Sequence, residues 1–193
     1  AISQFPYGPF IAEKNSINGS FSIDPAVYKD DDGSYYMYFG GIWGGQLQRW
    51  REGVFNPAQP ESPPAFLPNN DEPALLPYVA KMTDDLLEFD EKPREVMILD
   101  ENGKLLLAGD NDRRFFEAAW LHKYNEKYYF SYSTGDTHLI CYAIGESPYG
   151  PFTYKGKILN PVVGWTSHHS ICEFKGKWYL FYHDSSLSKG VTH

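Results

Sequence analysis

Two carboxylates and a histidine occupy one register of an internal repeat, and these are the residues with the types and spacing for chemistry. Asp24 opens Asp-Pro-Ala-Val-Tyr-Lys, which runs through Asp30-Asp31-Asp32-Gly33 into Tyr35-Tyr36-Met37-Tyr38-Phe39. Glu117 opens Glu-Ala-Ala-Trp-Leu-His, which runs through Asn125-Glu126 into Tyr128-Tyr129-Phe130. His168 opens His-His-Ser-Ile-Cys-Glu, which runs through Lys175-Gly176 into Trp178-Tyr179-Leu180-Phe181-Tyr182. Eleven residues separate Asp24 from Tyr35 and Glu117 from Tyr128, and ten separate His168 from Trp178.

A carboxylate at the mouth of an apolar strand is costly unless it has a partner or a task. Two such carboxylates aimed at a shared point are suited to general acid and base work, because their proximity pushes one pKa up until it holds a proton near neutrality. Glu117 lies among Phe115, Phe116, Ala118, Ala119 and Trp120, an apolar setting that favours the acid role. Asp24, followed by Pro25 at a hairpin entrance, suits an ionised partner that orients and tunes. Taken singly, each would be read as a strand-end cap or a partner of Arg113 or Arg114; the shared register argues for function. The carboxylate pair together with the aromatics resembles glycosidase chemistry, in which two carboxyls flank a glycosidic bond. His168 at the equivalent position is the candidate metal-side residue. His168 and His169 alternate across a strand, so they cannot chelate together, and no Cys or Asp stands at zinc-ligand spacing beside them.

The elements that would position these residues are strands. Aromatic strand pairs recur with polar, Gly-containing turns, and Pro6-Tyr-Gly-Pro-Phe10 is repeated at Pro148-Tyr-Gly-Pro-Phe152. Repeating all-β units of this kind indicate a β-propeller, whose innermost strands face one axis. The fold expected is therefore all-β and propeller-like, with Asp24, Glu117 and His168 converging from distant parts of the chain. Ser20 to Phe39 is the first full hairpin, and Asp30 to Gly33 is its turn rather than a calcium loop, since the EF-hand ligand alternation is absent. Gly40-Gly-Ile-Trp-Gly-Gly45 lets the backbone turn sharply or approach a ligand. Trp43 within it is either a sugar-stacking side chain or a core Trp between turns, and Trp43 and Phe116 are the candidate substrate-binding residues.

Residues 51–80 are Pro-rich and irregular, while 81–89 and 93–99 return to strand-like patterning. Residues 1–12 read as the end of a unit, and Gly190 to His193 as an unfinished strand. No linker divides the composition, so one domain over 1–193 is expected, a truncated propeller with units near 20–100, 110–155 and 160–193. The net charge of −8 argues against nucleic acid and anionic membrane surfaces, and is compatible with a neutral substrate. No apolar run reaches the length of a membrane span. Cys141 and Cys172, both in apolar stretches, are expected to be buried free thiols.

At these residues the sequence resembles glycoside hydrolase family 43, five-bladed propeller enzymes that include β-xylosidases and α-L-arabinofuranosidases. Ile23 to Tyr36 matches the segment of the family's pKa-tuning aspartate, which falls on Asp24. Phe116 to Tyr124 matches that of its general acid, on Glu117, and Ser167 to His183 that of its central histidine, on His168. The resemblance implies an incomplete five-bladed propeller of about three blades. It implies inverting, exo-acting removal of xylose or arabinose from hemicellulose-derived oligosaccharides, in a bacterial-type protein that is cytoplasmic or secreted. It also implies calcium or water beside His168 in the central channel. The family's third carboxylate, a general base on the first blade, finds no matching segment; Asp110 and Asp112 stand in a polar turn and read as solvated loop residues. A chain without that base would bind sugar or serve structurally, and the open edges of an unclosed propeller invite pairing with a second chain.

Overall fold

A computed structural model describes residues 1–57, 66–164 and 168–188. Among the described residues, eleven strands form three antiparallel-based sheets in chain order. The first sheet holds β1 (Ala26–Lys29), β2 (Tyr35–Phe39), β3 (Tyr78–Lys81) and β4 (Arg94–Glu95) in that order. The second runs β5-β9-β8-β7-β6, with β5 (Ile98–Leu99), β6 (Glu117–Tyr124), β7 (Lys127–Ser133), β8 (Ile140–Gly145) and β9 (Phe152–Leu159). The third is the ribbon of β10 (His169–Phe174) and β11 (Lys177–Tyr182).

The innermost hairpins follow from local chemistry. Asn125 and Glu126 (φ 47 and 59) form the two-residue turn between β6 and β7, as Lys175 and Gly176 (φ 53 and 75) do between β10 and β11. Paired positive φ values twist a turn to match the right-handed twist of its strands. In the first hairpin the Asp side chains replace that device: Asp30 Oδ1 accepts from the Asp31 amide and Asp32 Oδ1 from the Ser34 amide, both at 2.8 Å. Both copies of the Pro-Tyr-Gly-Pro-Phe motif carry a cis Gly-Pro bond, and the first sits in a loop closed by an Ile2–Ile11 bridge rather than in a strand.

The core lies between the first two sheets. Tyr38, Val79, Val96, Phe130, Tyr132 and Phe152 are fully buried there, and the blades are cross-linked by polar contacts at their edges. The Tyr128 hydroxyl donates to Asp30 at 2.7 Å, and Lys123 pairs with Asp31 at the same distance. Trp120 Nε1 donates to the Ile171 carbonyl at 3.1 Å, tying β6 to the ribbon.

Three expectations need correction. Beyond Lys81, which ends β3, residues 82–89 are not a strand: only a Met82–Phe89 bridge survives, because Thr83 and Asp85 side chains bond the local backbone and close a turn. The segment near 98 leaves the first unit, with β5 pairing parallel to β9 at Ile98–Phe152 and inserting a buried Ile98 into the second sheet. Cys172 is exposed, while Cys141 is buried. The ribbon carrying Cys172 has no third strand paired to it among the described residues, so its aromatic side chains Phe174, Trp178 and Phe181 also reach solvent. Pro57, Pro68, Pro73 and Pro77 lie outside named strands as expected; Pro60, Pro63, Pro64 and the Gly190–His193 segment fall outside the described residues.

Candidate active site

Asp24 precedes β1 in a left-handed conformation (φ 60). Its Oδ2 accepts the Ala118 amide at 3.3 Å and lies 3.2 Å from His168 Nε2. Ala118 follows Glu117 directly and also has positive φ (59), at a β-bulge where the β6–β7 register shifts between Glu117 and Trp120. Such a bulge re-aims the side chain at a strand mouth. An alanine held there costs on the order of 1–2 kcal/mol, and the bond to Asp24 helps to hold it. Three chain segments therefore meet: Asp24 touches His168, and through Ala118 it touches the backbone that carries Glu117.

The electrostatics agree with this contact. The hydrogen bond to Asp24 is the main influence that raises the His168 pKa, with the charges of Asp24 and Glu117 adding to it against the opposing effect of burial. His169 faces away, its Nε2 lying 2.6 Å from Ser131 Oγ in the interior, so the two histidines occupy opposite faces.

The glycine loop forms one wall. Gly40 N donates to Ile23 O, and Ile42 N donates to Phe116 O at 3.0 Å, fixing the loop between the Asp24 and Glu117 segments. A side chain on Gly41 would meet Ile23 at 2.6 Å and approach Glu117 Cβ, so only glycine permits this packing. Trp43 is 37% exposed, and its ring meets Phe116 edge-on at 5.4 Å. Trp43 is thus a partly exposed wall residue, and the buried Phe116 supports it. Behind Phe116 lies Gly135 (φ 68), where an added Cβ would stand 2.7 Å from Phe116 Cδ1 and nearer still to Cγ and Cδ2.

Several supporting residues escaped the sequence reading. Ser22 Oγ accepts the Gly41 amide at 3.0 Å and donates to Gly45 O at 2.7 Å. The buried Gln48 clamps the Trp43 backbone, accepting from its N–H at 3.0 Å and donating to its C=O at 3.1 Å. That clamp holds Trp43 at φ 58. Neither residue carries a motif, and a polar residue close to a glycine loop in the sequence was the one available signal. Arg113 pairs with Asp110 and Glu101, and Arg114 with Asp136. Asp110 is thereby held by Arg113 Nε at 2.7 Å rather than merely solvated, and Asp112 is exposed.

Calcium prefers six to eight oxygen ligands. Among the described residues no group of three or more His, Cys, Asp or Glu is arranged to hold a metal ion. His168 offers nitrogen, and its Nε2 is engaged by Asp24. These residues do not by themselves make a calcium site, and no chemical step is routed through one. No helix among the described residues is long and apolar enough to cross a membrane.

No family model matches the chain. A xylosidase/arabinosidase from Bacteroides ovatus is 64% identical over 192 residues, covering 100% of this chain and 57% of that protein. A family 43 β-xylosidase/α-arabinofuranosidase from a compost microbial metagenome, solved with xylotriose in a calcium-free form, matches at TM-score 0.91 and 63% identity over 97% of this chain and 56% of that one. The chain belongs to glycoside hydrolase family 43. A second family 43 structure, from Xanthomonas citri in complex with xylose, matches at TM-score 0.91 and 57% identity, over 97% of this chain and 55% of the other. This family 43 chain is part of a β-propeller fold, and it spans somewhat over half the length of the relatives it matches.

Proposed function

We propose that this family 43 chain carries the acid side of an inverting, exo-acting glycosidase that removes xylose, or arabinose, from hemicellulose-derived oligosaccharides. The observation that carries this reading is the contact of Asp24 with both His168 and the Ala118 amide, one residue from Glu117. In this mechanism Glu117, protonated, donates to the leaving glycosidic oxygen. Asp24 stays ionised, and its field keeps the proton on Glu117 until the bond breaks. The Ala118 amide and His168 hold Asp24 in place, so its charge costs no reorganisation during the reaction. A water attacks from the opposite face of the sugar, activated by a base about 6.5–9.5 Å from the acid. Trp43, braced by Phe116, lies against the sugar ring. The relatives solved with xylose and xylotriose support a pentose substrate.

A second reading, sugar binding without turnover, is favoured by one observation: Asp110 is engaged by Arg113, so it is poorly placed to serve as base. Release of xylose from xylobiose by the 193-residue chain and by its Glu117→Gln variant separates the readings. Turnover that disappears in the variant while xylose affinity stays within about twofold supports the acid role. Turnover that persists in the variant removes Glu117 from it, and binding without turnover in the parent chain selects the second reading.

A further inference from the structure

Gln48 is a buried polar side chain that the acid chemistry does not use. It sits beside the glycine loop, where the backbone is unusual. Within Gly40-Gly-Ile-Trp-Gly-Gly45 two residues have positive φ, Gly40 (φ 137) and Trp43 (φ 58). Glycine adopts such a backbone freely, whereas the Cβ of a tryptophan makes it costly. Gly44, next to Trp43, keeps an ordinary φ and has open space where a Cβ would stand, so the fold has room for a side chain at that position. The chain instead places its indole on the strained residue. Strain of this kind persists only where the surroundings over-determine it, and it gathers at ligand clamps and active sites.

Gln48 supplies that constraint from the short 3₁₀ turn Leu47–Trp50, where its side chain is buried. Its Oε1 accepts the Trp43 N–H at 3.0 Å, and its Nε2 donates to the Trp43 C=O at 3.1 Å. The two bonds grip the peptide groups on either side of the Trp43 Cα, so together they fix φ and ψ of that residue. These angles set the direction of the Cα–Cβ bond and hence the face that the indole shows. Phe116 meets the ring edge-on at 5.4 Å and limits its tilt, but that contact acts on the ring rather than on the backbone. The turn is itself anchored, since Leu47 is buried and its amide donates to Gly41 O at 2.9 Å.

We propose that Gln48 is a positioning residue for the substrate: by clamping Trp43 on both sides of its Cα, it presents the indole to the pentose and so governs sugar affinity through Trp43. The inference rests on the reading of Trp43 as the wall against the sugar ring. Without the clamp, Trp43 relaxes towards an ordinary negative φ and swings the indole out of place. Only the fraction of molecules that keeps the left-handed backbone then binds, and the apparent affinity falls by that fraction.

The test is xylose binding by calorimetry to the 193-residue chain and to its Gln48→Met, Gln48→Glu and Trp43→Ala variants, with near-UV circular dichroism to check that each is folded. Gln48→Met keeps the length of the side chain and removes both bonds. It should weaken xylose binding about tenfold, the penalty of losing most of the left-handed population. In a Trp43→Ala background the same change should alter affinity less than about twofold, because the residue it positions is gone. Gln48→Glu supplies a readout that a merely structural role would not move. Ionised at about pH 8, its second oxygen opposes the Trp43 carbonyl; protonated at about pH 5.5, since burial raises its pKa, it donates there as the amide does. Its affinity relative to the parent chain at the same pH should therefore be low at the higher pH and recover at the lower. A folded Gln48→Met with the parent affinity, or one that loses as much in the Trp43→Ala background, would overturn the proposal while sparing the sugar wall. A Gln48→Glu affinity that does not move with pH relative to the parent counts against the clamp equally, and decides the matter if Gln48→Met does not fold. Parent affinity in Trp43→Ala, or no xylose binding by the parent chain, would remove the sugar wall and the proposal together.

Discussion

Gly135→Ala is the most informative perturbation, because its cost is set by one contact behind the candidate acid. Gly135 has φ 68, and an added Cβ would stand 2.7 Å from Phe116 Cδ1 and closer to two other ring carbons. Holding alanine in the left-handed region costs about 1–2 kcal/mol. Overpacking against a buried ring adds about 1–3 kcal/mol, since Phe116 is 3% exposed and has little room to move. The smaller unfolded-state entropy of alanine returns about 0.4–1 kcal/mol. The net loss expected is about 2–4 kcal/mol, a fall in Tm of roughly 5–15 °C for a chain of this size. Urea denaturation measures it, and the partner experiment is the same change in a Phe116→Ala background. There the ring is gone, so Gly135→Ala should cost only the backbone strain, and the difference is the coupling energy. Because Phe116 supports Trp43, xylose affinity should fall in Gly135→Ala and recover no further in the double variant. Equal stability costs in the two backgrounds would refute the packing argument.

Other outcomes follow from the titratable groups. His168, raised by Asp24, contributes stability that is fully present below the ordinary histidine pKa of about 6.5 and is lost as pH rises through its higher folded value. Asp24→Asn should move the His168 NMR titration downwards, and an unchanged titration would mean that the contact is absent in solution. Burial lowers His122 to about 4 and His169 to about 3, so both stay neutral while the unfolded chain takes up protons. Stability from these two is complete above about pH 6.5 and is lost as pH falls, on the order of 3 kcal/mol each at pH 4. His122→Phe, which keeps an aromatic ring between Tyr129 and Trp178, should shift the acid unfolding midpoint downwards; the same midpoint as the parent would contradict the assignment. Cys172 is exposed, whereas burial pushes the Cys141 thiol up to about 11, so a maleimide at pH 7.5 should label one thiol per folded chain. Fast labelling of both would show that the Cys141 region opens readily.

The sequence by itself determined the three hairpins that carry Asp24, Glu117 and His168 and the register these residues share. Asp24, Glu117 and His168 were legible because hairpin repeats place equivalent residues at strand mouths, and a period of that kind survives in one dimension. The turns at Asp30–Gly33 and Lys175–Gly176 were legible for the same local reason, since turn chemistry depends on adjacent residues. The tertiary structure decided everything that depends on which surfaces meet. Composition around Cys172 is apolar, yet exposure there depends on what packs against the ribbon, which no local pattern encodes. The segment near 98 has strand composition, but its pairing partner, β9, lies more than fifty residues further along the chain. Asp85 and Thr83 turned a strand-like pattern into a closed loop by bonding the backbone of Leu87 and Glu88. The supports of the site were the least legible. Ser22 and Gln48 bond backbone atoms of the glycine loop, and Arg114 bonds Ala108 O and Asn111, and such bonds follow from how loops are brought together rather than from the residues that flank them.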